Sequence, residues 1–253
     1  MSALEVISLS KEFGGVHAIE DLSFNISPGS VHSIIGPNGA GKTTLLNLIT
    51  GIYQPTQGEV RLFGDSMAGM PVHARVMAGL GRTFQTPQVC MHMTALENVM
   101  LGRHIHLDGR FLPTALRLPR ILSGEREARH RAAELMEYVG LADYLNDEPG
   151  SMPYGALKRL EVARALACEP KLLLLDEPAA GLGASEKADL TGLIEKLSGA
   201  GLTIVLVEHD MKLVMSISQH ILVINYGQKL AEGQPTEVRR NPDVVAAYLG
   251  SAV

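Results

Sequence analysis

The segment Gly36-Pro37-Asn38-Gly39-Ala40-Gly41-Lys42-Thr43-Thr44 constrains this chain more than any other. It fits the phosphate-loop pattern G-x-x-x-x-G-K-[ST] at every fixed position. The apolar run Val31–Ile35, with His32 and Ser33 inside it, reads as a strand entering the loop, and Thr43–Thr50 reads as a helix leaving it. Glycines let the backbone pass close to phosphate without a Cβ in the way. Loop N–H groups and the helix N-terminus then offer donors and partial positive charge to an anion. Lys42 adds a full charge for β- and γ-phosphates, and the Thr43 hydroxyl is suited to Mg²⁺. A plain glycine turn before a helix would need neither residue.

The rest of the chain supplies a setting for such a loop. Leu172–Leu175 is a continuous apolar run, as expected of a strand buried on both faces. Leu190, Leu193, Ile194 and Leu197 follow at helical spacing, then the buried strand Thr203–Val207, a helix marked by Met211, Val214, Met215 and Ser218, and a strand over Ile221–Asn225. This alternation argues a parallel sheet with helices packed on it. Upstream, Leu4–Leu9, Ile19–Ile26 and Glu59–Phe63 read as strands, with a break at Lys11–Gly15. Met70–Ala78 reads as helical, and Gly79–Phe84 as a short strand ending at Gln85. Between the two α/β parts, Glu125–Val139 and Gly155–Cys168 are predicted helices, and Asp108–Ser123 an inserted loop or broken helix. Asn241 is placed to cap a last helix with Pro242 at its first position.

Composition narrows the function classes. The 253 residues are 46% hydrophobic and contain no Trp, so the core must be built from Leu, Ile, Val, Ala and Met. A net charge of −5 gives no support for sequence-independent nucleic-acid binding, and basic residues concentrate only over Arg117–Arg131. No apolar run approaches a membrane span, and the first residues lack the pattern of a signal peptide. Cys90 and Cys168 lack metal spacing, so reduced thiols and a cytosolic setting are expected. Any role at a membrane must then come through a partner. Met91-His92-Met93 and His104-x-His106 are weak metal signals, outweighed by an adaptable packing surface and a solvated loop.

Candidate chemistry gathers at predicted strand ends. The run Leu172–Leu175 leads into Asp176 and Glu177. Asp176 would hold Mg²⁺ directly or through water, and Glu177 would polarise an attacking water as general base. The plain alternative is a strand that meets solvent at acidic residues. His209, just past Val207, lies on the ligand side of a parallel sheet and is placed to contact a γ-phosphate. Gln85, at another strand end, is within reach of Mg²⁺ or the water. Phe13 offers a ring for stacking on a purine, although a core Phe at a strand end is the plainer reading of that residue alone.

Together these residues resemble the ATP-binding subunits of ABC transporters over nearly the whole chain. The resemblance implies that Phe13 stacks on adenine, that Gly36–Thr44 is the Walker A loop, and that Gln85 is the Q-loop glutamine. It makes Asp176 and Glu177 the Walker B pair and His209 the switch histidine. Gly81–Gln85 (GRTFQ), Arg159–Leu166 (RLEVARAL), Leu175–Leu182 (LDEPAAGL), Glu208–Ser218 (EHDMKLVMSIS) and Asn241–Gly250 (NPDVVAAYLG) look most like the branched-chain amino acid importer, or LivG-like, class. The signature segment, usually close to Leu-Ser-Gly-Gly-Gln, stands here as Met152-Pro153-Tyr154-Gly155-Ala156. Tyr154 and Gly155 fit a variant of that class, whereas Pro153 brings neither a hydroxyl nor an N–H, and Ala156 lacks the amide side chain usual there. Gly183 replaces the usual Asn or Asp of the D-loop.

The fold expected is α/β: a P-loop, RecA-like core with a mainly parallel sheet, an N-terminal antiparallel β part and an inserted α-helical subdomain. Residues 1–88 and 169–230 would form the ATP-binding core, 89–168 the helical subdomain with the signature segment, and 231–253 a C-terminal tail, all within one 1–253 ATPase domain. The resemblance implies ATP and Mg²⁺ as cofactors and a second ABC ATPase subunit as partner in a heterodimer. It further implies two membrane-spanning permease subunits, an extracytoplasmic solute-binding protein acting indirectly, no nucleic acid, and a place at the cytoplasmic face of the inner membrane. Three other readings stand beside it: a regulatory ATP-binding subunit with weak hydrolysis, a urea or amide importer ATPase of the same subfamily, and a soluble ATPase of translation or DNA repair. The last would carry two cassettes or a coiled-coil insert, and neither is visible.

Overall fold

The structure is a computed structural model that describes residues 2–106 and 119–249. Strands β1 (Leu4–Phe13), β2 (Val16–Ile26), β4 (Gln57–Leu62) and β5 (Asp65–Ser66) form an antiparallel sheet in the order β2-β1-β4-β5. A second sheet runs β10-β9-β3-β8-β7-β6, from β3 (Val31–Ile35), β6 (Leu80–Arg82), β7 (Leu172–Asp176), β8 (Thr203–Val207), β9 (His220–Asn225) and β10 (Gln228–Gly233). Its pairs are parallel except for the antiparallel β9–β10 edge. Two strand boundaries, Val31–Ile35 and Thr203–Val207, coincide with the sequence expectation. The expected break at Lys11–Gly15 is smaller than predicted. β1 runs on to Phe13, because pairing with β2 down to Phe13↔Val16 carries the strand to a tight Gly14-Gly15 turn.

Strands β3, β7 and β8 are buried along their whole length. Alternate side chains serve different cores. Leu172 and Leu174 join β1, β2 and helix α1 (Lys42–Thr50) on one face. Leu173 and Leu175 join α3 (Ala95–Arg103), α4 (Pro119–Tyr138), α5 (Tyr154–Leu166) and α6 (Ala184–Gly199) on the other. Apolar burial on both faces is what lets a strand read LLLL without alternation. The short α2 (Val72–Met77) precedes β6. Helix α7 (Met211–Ile217) begins at an Asp210 cap whose side chain accepts from the Lys212 and Leu213 N–H groups. After β10, helices α8 (Pro235–Arg240) and α9 (Pro242–Leu249) close the chain over a small cluster around Val238 and Val244. Asn241 caps α9, its Oδ1 accepting from the Asp243 N–H at 2.9 Å, as the Asn-Pro sequence predicts.

Other differences are local. His104–His106 form a 3₁₀ turn continuing α3 rather than a loop. Thr94 and Glu97 close a capping box that starts α3 directly after the Met91–Met93 turn. The stretch expected to be irregular over Asp108–Ser123 lies outside the described residues up to 118, and 119–123 open α4.

One buried group makes stability depend on pH. His32 on β3 faces His220 on β9 with ring centroids 5.1 Å apart. Burial, and then the neighbouring His220, push its pKa from 6.5 down to about 3. The folded state therefore keeps a neutral imidazole where the unfolded chain takes up a proton. Stability is complete above pH 6.5 and declines as pH falls toward 3, a loss of ~2 kcal/mol between pH 6.5 and 5. Urea unfolding at those two pH values should show this loss, and His32→Val should flatten it. An equal loss in the variant would place its origin elsewhere.

Candidate nucleotide site

The carboxyl ends of β3, β7 and β8 are level. Val207 is the register partner of both Ile34 and Asp176, so the loops that follow the three strands leave the sheet side by side. From β3 the chain enters Gly36–Gly41. A Cβ on Gly36 would lie 2.2 Å from the Ile224 carbonyl oxygen. Gly41 has φ 102° at the N-cap of α1, and a Cβ there would lie 2.6 Å from the Ala18 oxygen. Both positions exclude a side chain, so the glycines of the motif are required by packing as well as by phosphate.

The Lys42 ammonium is held inside this loop, donating to the Gly36 carbonyl at 2.6 Å and the Pro37 carbonyl at 2.9 Å. Burial lowers its pKa, while Glu177 and Asp176 act in the opposite direction. Lys42, Thr43 and Thr44 line a cavity of about 450 Å³ with Asn38, Gly39, Ala40, Gly41 and Glu177. On the other side of the loop, α9 approaches, its Asp243, Ala246 and Ala247 lining a cavity of about 420 Å³ with Pro37, Asn38, Gly39 and Ala40. Burial raises the pKa of the Tyr248 phenol on α9 to about 12, with the Gly36 backbone acting the other way.

Three of the sequence candidates meet at one oxygen. Glu177 leaves β7 with φ 45°, a left-handed conformation for a residue with a side chain, and its N–H donates to the Val207 carbonyl at 2.9 Å. Gln85 Nε2 donates to Glu177 Oε2 at 2.8 Å, and His209 Nδ1 stands 3.5 Å from the same oxygen. Asp176 is buried just behind. Its Oδ2 accepts from Arg82 Nη2 at 3.0 Å.

Some expected placements differ. Phe13 pairs with Val16 at the hairpin tip, but its ring stands edge-on to Tyr53 at 5.2 Å with Lys11 Nζ over it, outside the cavity wall. The wall there is built by Val16, His17, Ala18 and Tyr226. Val16 and Tyr226 are 67% and 84% exposed, so apolar surface does stand beside the phosphate loop, only from other residues. In the signature segment, Pro153 caps α5 with no side-chain hydrogen bond, and Tyr154 is half-exposed. Ala156 is buried in the core beneath the helix, so an amide side chain there would point into packed apolar groups. A Cβ on Gly155 would lie 2.1 Å from Glu186 Oε1, the far end of a side chain that would have to turn aside.

Three charged residues escaped sequence reading. Arg82 links Asp176 to Asn47 Oδ1 at 2.7 Å and Thr50 Oγ1 at 3.2 Å, so it ties α1 to β7. Glu208, fully buried, accepts from the Ala179 N–H at 2.7 Å and the His209 N–H at 3.1 Å. Lys158 on α5 donates to the carbonyls of Gln85 and Glu177. The only sequence signal for each was its place beside a motif residue.

A buried strand, a glycine loop with its lysine and facing carboxylates define a P-loop nucleotide-binding cassette. The sequence matches the family described as ABC transporter over residues 19–180, and that described as branched-chain amino acid ATP-binding cassette transporter over residues 228–253. The chain belongs to the ABC transporter family of ATP-binding proteins, which hydrolyse ATP to power transport. It is 48% identical to the high-affinity branched-chain amino acid transport ATP-binding protein BraF of Pseudomonas aeruginosa, over 98% of each chain. Against LivG of Escherichia coli, a protein of the same description, it is 42% identical over 98% of each. A crystal structure of a nucleotide-free ATP-binding cassette from an ABC transporter has a TM-score of 0.87 at 31% identity, covering 99% of this chain and 100% of that one. A dimeric cassette in a post-hydrolysis state, bound to ADP and Pi, has a TM-score of 0.78 at 27% identity, covering 92% of this chain and 98% of that one.

The buried Arg82–Asp176 pair is testable by itself. Removing one partner of a buried ion pair leaves an uncompensated charge and costs roughly 3–5 kcal/mol. Arg82→Met should lose stability on that scale in urea unfolding, and adding Asp176→Asn should recover part of it. Strictly additive losses would mean that the two side chains are not coupled.

Proposed function

We propose that this chain is the ATP-hydrolysing subunit of an importer for branched-chain amino acids, attached to the cytoplasmic face of a membrane through permease subunits. The observation that carries hydrolysis is the meeting of Gln85 and His209 at Glu177 Oε2, beside the cavity that contains Lys42. The match of residues 228–253 to the branched-chain amino acid cassette family supports the solute class. Among the described residues no helix is long and apolar enough to cross a membrane, so attachment falls to partners. A groove of about 370 Å³ between β6 and helices α3 and α5 suits such a partner, with Ile52, Val72, Phe84 and Leu101 exposed along it.

ATP would lie along the cavity with its phosphates over Gly36–Thr44, where loop N–H groups and the α1 N-terminus meet negative charge. Lys42 would turn from its two carbonyls toward the β- and γ-phosphates. Val16 and Tyr226, rather than Phe13 alone, offer apolar surface to the base. The donor set Thr43 hydroxyl, Asp176 carboxylate and Gln85 carboxamide is all oxygen, which fits Mg²⁺, and Arg82 on Oδ2 leaves Oδ1 of Asp176 for it. When bound, that ion neutralises charge developing on the β- and γ-oxygens. Glu177 takes the proton of the attacking water, with Gln85 and His209 fixing the carboxylate. The partner's signature segment would complete the γ-phosphate site, and the dimeric relative with ADP and Pi supports a two-ATPase arrangement.

Pro153 favours a second reading in which one of two composite sites works poorly. At the N-cap of α5 it brings no hydroxyl and no N–H to the nucleotide held by the partner. The pairing would then be a heterodimer with unequal sites.

Calorimetry should show that Lys42→Ala loses Mg-ATP binding while the fold survives; unaltered affinity would remove the assignment. Glu177→Gln should bind ATP but hydrolyse it about 10²–10⁴-fold more slowly in the assembled complex. Turnover at the parent rate would place the base elsewhere. For the heterodimer, Pro153→Ser should raise turnover of a complex whose only intact base is the partner's, and leave unchanged one whose only intact base is Glu177. A rise in both would rule out asymmetry.

A further inference from the structure

The segment Phe84–Gln88 leaves β6 without sheet partners, and side chains of α5 satisfy four of its backbone groups. Lys158, Glu161 and Arg164 stand at i, i+3 and i+6 on α5, facing that segment. Lys158 Nζ donates to the Gln85 carbonyl. Glu161 Oε1 accepts from the Phe84 N–H at 3.1 Å and the Gln88 N–H at 3.4 Å. Arg164 Nη1 donates to the Gln88 carbonyl, and its Nη2 lies 3.8 Å from Glu161.

Lys158 reaches further. The same ammonium donates to the Glu177 carbonyl at 3.3 Å and lies 5.7 Å from the centre of the Tyr154 ring. One buried cation thus touches the signature segment, the Gln85 loop and the end of β7. Lys158 and Glu161 are 4% and 2% exposed. Burial lowers the pKa of the first and raises that of the second; Glu161, Glu208, Asp176 and Glu177 act against the shift at Lys158, and the Phe84 and Gln88 N–H groups against that at Glu161. Satisfying five loop residues needs no charge as deeply placed as Lys158; backbone or hydroxyl partners would serve.

We propose that Lys158, Glu161 and Arg164 are positioning residues that lock Phe84–Gln88 to α5, so that Gln85, the end of β7 and Tyr154–Gly155 respond as one body to nucleotide beside Lys42. The inference rests on the reading of that cavity as an ATP site. Through it, the occupancy of one nucleotide position sets the signature segment offered to the other. None of the three side chains needs to touch the nucleotide.

Amide hydrogen exchange on the full chain tests this, without and with the magnesium complex of a non-hydrolysable imido analogue of ATP. In the parent, the nucleotide should slow exchange over Gly36–Thr44, at Phe84 and Gln88, and in the first turn of α5. Lys158→Met should bind with affinity within about threefold of the parent and keep the response at Gly36–Thr44. It should lose most of the response in the first turn of α5, since a charge-assisted hydrogen bond sets an equilibrium by roughly tenfold or more. Lys158→Arg should restore that response, which a loss of packing alone would not explain. In the complete transporter Lys158→Met should lower kcat and leave KM for ATP unchanged. A first-turn response as large in Lys158→Met as in the parent overturns the proposal, as does a parent in which nucleotide protects Gly36–Thr44 but not α5. Failure of nucleotide to protect Gly36–Thr44 in the parent counts instead against the ATP site. The lock is then decided without nucleotide: Glu161→Gln, a near-isosteric change, should speed exchange at Phe84 and Gln88 by about tenfold. Unchanged exchange there overturns it.

Discussion

The parallel pairing of β3, β8 and β7 is the constraint on which the rest depends. Hydrogen-bond register leaves no freedom in how far each strand projects, and Val207 fixes Ile34 on one side and Asp176 on the other. Residues 36, 177 and 209, far apart in the chain, therefore emerge at one edge of the sheet. Burial on both faces enforces the register, since a one-residue slip would send Leu172 and Leu174 to the wrong core. The antiparallel sheet and α1 cover one face and the helical layer covers the other. Neither cover supplies most of the site, but together they keep its floor dry and fixed.

On that floor, charge is arranged so that few ionised groups stand alone. Asp176 has Arg82, Glu208 has three backbone N–H groups, and Glu161 has two more. Lys42 and Lys158 both spend their protons on backbone carbonyls. Such groups are costly to bury and costlier to leave half-paired, so each contact restricts where the loops can go. Glu177 differs. It is held by Gln85 through a side chain that itself belongs to a loop, and its backbone sits in a left-handed conformation. It is the carboxylate of the group that can most readily change partner.

Much of this was legible in the sequence because the physics was local. The phosphate loop needs glycines, a lysine and a hydroxyl at fixed spacing, and the buried strands needed only uninterrupted apolar runs. Long-range pairing was harder. β1 outran its expected end because β2 supplies partners to Phe13. β10 was missed because Gln228–Gly233 is short, polar and half-exposed, with no period to detect. Phe13 was singled out by type and position, whereas the apolar wall beside the loop comes from Val16 and from Tyr226, which lies on the far side of the chain. Arg82 and Lys158 sit beside recognisable motifs, yet a single cation carries no pattern until the fold shows what it faces.

The cavity that Asp243, Ala246 and Ala247 share with Pro37–Ala40 makes α9 part of the site's foundation. For an experimenter, α9 is therefore not an inert handle. A reporter attached beyond α9 would be separated from the wall that α9 shares with Pro37–Ala40 by one helix of eight residues. An environment-sensitive dye placed there reads loop movement from outside the cavity, and a bulky fusion at the same point pulls on it.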